Sequence, residues 1–305
     1  MPDSHPTEVP TNPLRSRWAA AVDPDRPLPE YPRPQLRRER WQNLNGRWQL
    51  AMADRDAPRP EVFDHTIVVP FAVESELGGV TRAVRPEQRV WYRRQFQPPS
   101  LAADERLLLH FGAVDWESEI RVNDRHVGRH RGGFDPFSFD ITDALEGSGE
   151  QELVVAVWDP TDAGPQPVGK QSLEPALIQY TAVTGIWQTV WLEPVPDTRI
   201  EAVTVESRLA DGQVSIRTRL SGARPGDRIA ISVRANGLEA AHDEAEAVGT
   251  EGLRTLRIPS LRPWSPEDPF LYDLEVSLMR SAAIVDRVDS YFGAREISTA
   301  RDEDG

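Results

Sequence analysis

The chain has 305 residues and a mass of 34.2 kDa, enough for about two domains with separate hydrophobic cores. A hydrophobic fraction of 39%, a charged fraction of 28% and a mean hydropathy of -0.51 are those of a globular chain, and the longest apolar run, Leu153 to Trp158, is far too short to span a bilayer. Forty-nine acids against 35 bases leave a formal charge of -14, which repels a polyphosphate, so neither nucleic acid nor membrane is an expected partner.

There is no cysteine, which excludes disulfides, thiolate catalysis and thiolate metal sites. The first thirty residues carry Asp3, Glu8, Asp23 and Asp25 among prolines and hold no apolar segment of signal-peptide type, so a cytoplasmic location is expected. Lys170 is the single lysine, and the arginine excess is given no functional weight.

Residues 1–40 are rich in proline (Pro24, Pro27, Pro29, Pro32, Pro34), which predicts an extended arm rather than regular helix. From Trp48 onward, short alternating or apolar runs rich in branched and aromatic residues are punctuated by Gly, Pro, Asn and Asp about every ten positions. This is an all-β cadence. Predicted strands are Thr66–Val69, Val90–Phe96, Arg106–Phe111, Ser118–Val122, Phe137–Asp140, Glu152–Trp158 and Thr189–Glu193, with a hairpin at Asn123-Asp124 leading toward Val127. Asp143, three residues before Glu146, predicts one capped helical turn.

At Pro194-Val195-Pro196 two prolines are expected to interrupt the strand pattern and to end a domain of residues 41–196. A new alternation starts at Ile200, Val203 and Val205 and continues through Val214–Leu220, Ile229–Ala235, Leu253–Ile258, Leu271–Leu278 and Ile284–Phe292. About seven strands over roughly one hundred residues predict an immunoglobulin-like sandwich, here residues 197–297, followed by a polar tail at 298–305. The acidic group Glu239, Asp243, Glu244 and Glu246 fits a solvated edge strand or loop.

Several segments occur in an order that resembles a known family. They are Trp41-Gln42-Asn43-Leu44-Asn45-Gly46-Arg47-Trp48, Val69-Pro70-Phe71 with Glu74-Ser75, Val90-Trp91-Tyr92-Arg93-Arg94, and His110-Phe111-Gly112-Ala113-Val114-Asp115. Gly132-Gly133-Phe134, Phe139-Asp140-Ile141-Thr142 and Gly185-Ile186-Trp187-Gln188-Thr189-Val190-Trp191-Leu192-Glu193 follow, then Pro263-Trp264-Ser265-Pro266 and Tyr291-Phe292-Gly293-Ala294-Arg295. The resemblance is to glycoside hydrolase family 2, the β-galactosidase, β-glucuronidase and β-mannosidase superfamily. It implies a jelly-roll sugar-binding sandwich followed by an immunoglobulin-like sandwich.

Family members continue into a (β/α)₈ barrel that holds the acid/base and nucleophile glutamates, and retaining hydrolysis needs two such carboxyls close together. The Asn-Glu pair that marks the family's acid/base is not found: asparagines 12, 43, 45, 123 and 236 precede Pro, Leu, Gly, Asp and Gly. Arg301-Asp302-Glu303-Asp304-Gly305 is similar to the polar turn leading toward the barrel. The expectation is a non-catalytic N-terminal portion of a retaining β-glycosidase that lends loops to a sugar pocket. A free-standing carbohydrate-binding module and a protein-interaction module, docking a separate barrel-bearing chain or a second copy, remain open beside it.

By resemblance, an aspartate just after the strand ending at Trp158 contacts sugar, which points to Asp159 or Asp162; a carboxylate accepts paired hydrogen bonds from vicinal hydroxyls. Asp159-Pro160-Thr161-Asp162 fits an Asx-type turn equally well. The long loop from Asp162 to Tyr180 offers Lys170 and Gln171, and the segment between Phe71 and Trp91 offers Glu74, which also suits a turn-stabilising role. Trp91, Trp116 and Trp187 are possible stacking platforms, each with a core role as the alternative. Gly128, Gly132 and Gly133 are expected at tight turns. Histidines 110, 126 and 130 are not spaced with carboxylates as a metal site, and neither cofactor nor metal is expected.

Overall fold

The structure is a computed structural model that describes residues 16–297 and 299. Two compact units divide the chain: residues 16–32, 41–102 and 106–194 lie in the first, and residues 33–40, 103–105 and 195–297 in the second. The expected arm is thus shared between the units and carries two single 3₁₀ turns, Ala19–Ala21 and Pro34–Leu36. The predicted tail lies, Thr299 apart, outside the described residues.

The first unit is a sandwich of two sheets. One has six antiparallel strands in the order His65–Val69, Gly46–Asp54, Gln88–Phe96, Gln151–Trp158, Glu117–Val122, Arg125–Arg131. The other has four, Gln42–Asn43, Val190–Pro196, Glu105–Phe111 and Phe137–Asp140. Alternation along each strand sends every second side chain inward, so Trp48, Leu50, Tyr92, Ile120 and Val155 of the first sheet meet Leu107, Leu109, Phe111, Val190 and Leu192 of the second. Each such large side chain, fully buried, contributes roughly 2–3 kcal/mol of transfer free energy. The wide sheet has a smaller apolar layer on its outer face, where Trp91, Ala51, Val154 and Ala156 pack with Phe63.

The second unit is also a sandwich. Arg199–Arg208, Gln213–Ser221 and Glu251–Arg257 form one antiparallel sheet, and Leu238–Glu246, Arg228–Ala235, Tyr272–Arg280 and Ala283–Phe292 the other. Ile200, Val214 and Ile216 face Ile231, Val233, Val276 and Val288 in its core. The acidic group lies on the edge strand Leu238–Glu246, where Asp243 pairs with Arg254 and Glu244 with Arg228.

Two local expectations differ from what forms. Pro194 and Pro196 do not end the strand pattern, because Val190–Pro196 is one strand. Its ladder with Gln42–Asn43 is made at Trp191 and Leu192, so the prolines fall beyond that ladder and the missing N–H groups are not needed there. The turn after Phe137–Asp140 is 3₁₀, Thr142–Ala144, and Asp140 rather than Asp143 or Glu146 secures it by accepting from the Thr142 amide and hydroxyl at 3.0 and 2.6 Å. The Glu146 amide donates instead to the Gln151 side chain at 2.8 Å.

Candidate functional site

The strand Gln151–Trp158 ends at Trp158, and the chain then runs through a long loop before Gly185–Ile186 pairs with Val114–Asp115. That loop is ordered by its own polar side chains. Asp159 accepts from the Thr161 amide at 2.8 Å, an Asx turn, and from the Thr184 hydroxyl at 3.2 Å. Asp162 accepts from the Ser172 hydroxyl at 2.9 Å and the Leu173 amide at 3.2 Å, which fastens the start of the loop to its middle. Gln171–Ser172 and Tyr180–Thr181 form a two-residue parallel pair.

Gln171 joins two elements. Its side-chain oxygen accepts from the Val183 amide at 2.7 Å, and its nitrogen donates to the Asp115 carboxylate at 3.1 Å. Glu74 completes the arrangement from the far side of the sequence, accepting from the Thr184 amide at 2.9 Å. Thr184 therefore binds one carboxylate through its amide and another through its hydroxyl. Ile186 donates to the Tyr92 hydroxyl at 3.4 Å.

Glu74, Asp159 and Asp115 are 4%, 2% and 5% exposed, so three carboxyls share a dry region. Burial, opposed in part by the Thr184 hydrogen bonds, raises Glu74 to about 7, with the Asp159 charge adding to the rise. Burial and then the Asp115 charge raise Asp159 to about 6. Asp115 is also raised by burial, against the hydrogen bond from Gln171. Burial first and the Glu74 charge second push the Tyr92 phenol up. One Glu74 oxygen is buried with no hydrogen-bond partner.

The residues singled out from the sequence take different roles. Glu74 and Asp159 lie together at Thr184, whereas Asp162 is an exposed loop fastener. Lys170 is exposed and stands 5.9 Å from the centre of the Tyr180 ring, while Gln171 is half-buried. Trp91 is not a platform: 6% exposed, it lies in the small outer apolar layer. Trp187 is half-buried, donates to the Gly133 carbonyl at 2.7 Å and meets exposed Phe134 edge-on. Trp116 is half-buried beside Trp158 and Arg131.

Gly128 and Gly133 serve close approaches rather than turns. A β-carbon at Gly128 would overlap the Phe139 ring, and one at Gly133 would stand 2.5 Å from an Asp115 oxygen. His110 stacks on Trp191 at 4.8 Å and His130 on Phe137 at 4.0 Å. Nothing in the sequence pattern marks Asp115, Thr184 and Tyr92 as site residues, although each stands in or next to a segment that carries the family resemblance.

Residues 70–182 match the glycosyl hydrolase 2 galactose-binding domain-like family, and residues 198–295 match glycosyl hydrolases family 2. The chain belongs to glycosyl hydrolase family 2. A β-galactosidase of Thermoanaerobacter pseudethanolicus is 26% identical over 214 residues, which are 68% of this chain and 28% of that protein. A β-glucuronidase of Paenibacillus borealis is 23% identical over 287 residues, 88% of this chain and 47% of that protein. Among solved structures, that of Bifidobacterium dentium β-glucuronidase complexed with coumarin-3-O-glucuronide aligns with a TM-score of 0.69 at 24% identity, covering 87% of this chain and 50% of the other. The chain thus spans about a quarter to a half of the length of these relatives. Its two sandwiches are those of the family 2 N-terminal region, in agreement with the fold expected from the sequence.

Proposed function

We propose that this chain is a non-catalytic, sugar-contacting portion of a family 2 retaining β-glycosidase, and that alone it does not cleave glycosides. Support comes from the two family 2 domains and from curated relatives described as β-galactosidases and β-glucuronidases. The observation that carries the reading is the ordered loop from Asp159 to Thr184. Buried Asp159, within the loop, and buried Glu74, outside it, hold its two ends, and Lys170, Gln171 and Tyr180 stand on the stretch between. An ammonium and an amide beside an aromatic ring suit a pyranose, whose C–H face packs on the ring while its hydroxyls meet polar groups.

Glu74 and Asp159 are positioning groups in this account and do not touch sugar. The test is the purified chain incubated with nitrophenyl β-galactoside, β-glucuronide and β-mannoside, alongside calorimetry with the methyl glycosides. No nitrophenol release above buffer, with weak saturable binding to at least one sugar, is expected. Turnover abolished by a point change within this chain would overturn the non-catalytic reading.

A second reading is favoured by Leu177, Ile178 and Tyr180, which are 103%, 73% and 66% exposed within one loop. Such neighbouring apolar side chains suit a protein contact, with a barrel-bearing chain or a second copy. Sedimentation velocity at rising concentration separates the partners, since self-association dependent on Leu177 and Ile178 would identify the second copy.

A further inference from the structure

The six-stranded sheet brings several chain ends to one side. Asp54 pairs with Gln88, Val90 with Val157, Trp158 with Glu117, and Glu117 with Arg131. The end of Gly46–Asp54, the start of Gln88–Phe96, the end of Gln151–Trp158 and the end of Arg125–Arg131 therefore converge on one edge of the sandwich. A cleft of about 800 Å³ opens there, within the size range of small-molecule sites.

Two indole rings line this cleft, Trp116 and Trp158, both half-buried. Trp158 is fixed, because its ring nitrogen donates to the Pro86 carbonyl at 2.7 Å and the Arg55 guanidinium lies over the ring at 3.7 Å. The loop Pro160 to Gln166 also lines it, stiffened by Pro160 and Pro165 and by the bond from the Gln166 side-chain nitrogen to the Thr161 carbonyl at 2.7 Å. A cleft with fixed walls loses little freedom on binding.

The polar groups decide the ligand's charge. Asp54, Asp56 and Glu87 are exposed carboxylates at the rim. Against them stand two guanidiniums: that of Arg55 lies on Trp158, and that of Arg131 is bonded to Glu117 at 2.6 Å. A uronate would meet an excess of negative charge, whereas neutral hydroxyls would donate to those carboxylates in charge-assisted bonds. We propose that this cleft is a binding site for a short neutral oligosaccharide, with a pyranose face on Trp116 and hydroxyls donating to Asp56 and Glu87. The inference extends the carbohydrate reading and rests on it for the class of ligand.

The test uses the whole chain with cellotetraose, xylotetraose and β-1,4-galactotetraose as neutral probes and tri-galacturonate as the anionic probe, read by calorimetry and tryptophan fluorescence. Saturable binding of at least one neutral probe is expected, weaker by about tenfold in Trp116→Ala, the effect of losing one stacking contact. Glu87→Gln and Asp56→Asn change exposed side chains, keep the fold and keep an accepting oxygen, so each lowers the affinity by about threefold through the loss of charge assistance alone. Absence of saturation with every neutral probe, preference for tri-galacturonate, or affinity unchanged in all three variants would overturn the proposal. Methyl glycosides that perturb residues 170–184 while the oligosaccharides leave the cleft untouched would remove this site and leave the proposed function standing.

Discussion

Gly185 faces the Tyr92 hydroxyl so closely that a β-carbon at 185 would overlap the phenol oxygen, and its φ of +96° suits glycine alone. The end of the long loop and the central strand Gln88–Phe96 are pressed together at this point, which sets where Thr184 stands between Glu74 and Asp159. Gly185→Ala is expected to destabilise the first unit by about 2–4 kcal/mol, from overpacking combined with a left-handed backbone. Tyr92→Phe in that background should recover part of the loss, measured by urea denaturation; no recovery would place the strain in the backbone alone.

Glu74 makes stability depend on pH in an uncommon direction. Its folded value of about 7 lies above its ordinary 4.5, so the folded state holds the proton more tightly than the unfolded chain. Stability from this group is present below pH 4.5 and is lost as pH rises toward 7. Glu74→Gln removes that loss. The variant should gain on the wild type by on the order of 3 kcal/mol between pH 4.5 and 7. Denaturation curves at four pH values check this, and a gap that stays flat or narrows over the window would contradict the burial argument.

Arg38 and Asp286 form a buried ion pair in the second unit, with bonds of 3.1 and 2.7 Å, and Asp286 also accepts from the Ile200 amide at 2.8 Å. Removing one partner leaves a charge in a dry place. Arg38→Ala should cost about 3–5 kcal/mol, and Arg38→Ala with Asp286→Asn should cost less than the single change. A double-mutant cycle by thermal denaturation gives the comparison.

Asp162 closes the loop on Ser172 and Leu173 from an exposed position, so its loss should leave the core intact while freeing the loop. Asp162→Ala is expected to shift the melting temperature by about 2 °C or less, as surface changes do, yet to make residues 162–180 more sensitive to limited proteolysis. Cleavage no faster than in the wild type would mean that other contacts hold the loop.

Strands were legible because their cores alternate plainly: Val90, Tyr92 and Phe96, or Ile229, Ile231 and Val233, mark inward positions without reference to any other segment. The strand through Pro194 and Pro196 was not, since whether a proline breaks a strand depends on which flank lacks a partner. Trp91 and Tyr92 show the same limit. Alternation tells that the two face opposite sides, but the outer layer that buries Trp91 is built from Ala51, Val154 and Phe63, which are remote in sequence. The carboxyl cluster was half visible: Glu74 and Asp159 stood out as polar residues in loops, while Asp115 and Thr184 gain their roles from contacts spanning 25 to 110 positions.

Sugar contact by the loop is read by an amide chemical-shift titration of the whole chain with methyl β-galactoside, methyl β-glucuronide and methyl β-mannoside. Saturable shifts confined to residues 170–184 are expected with at least one of them, strongest at Gln171 and Tyr180. Shifts absent with all three sugars at high concentration, or saturable shifts lying only in the second unit, would contradict that contact.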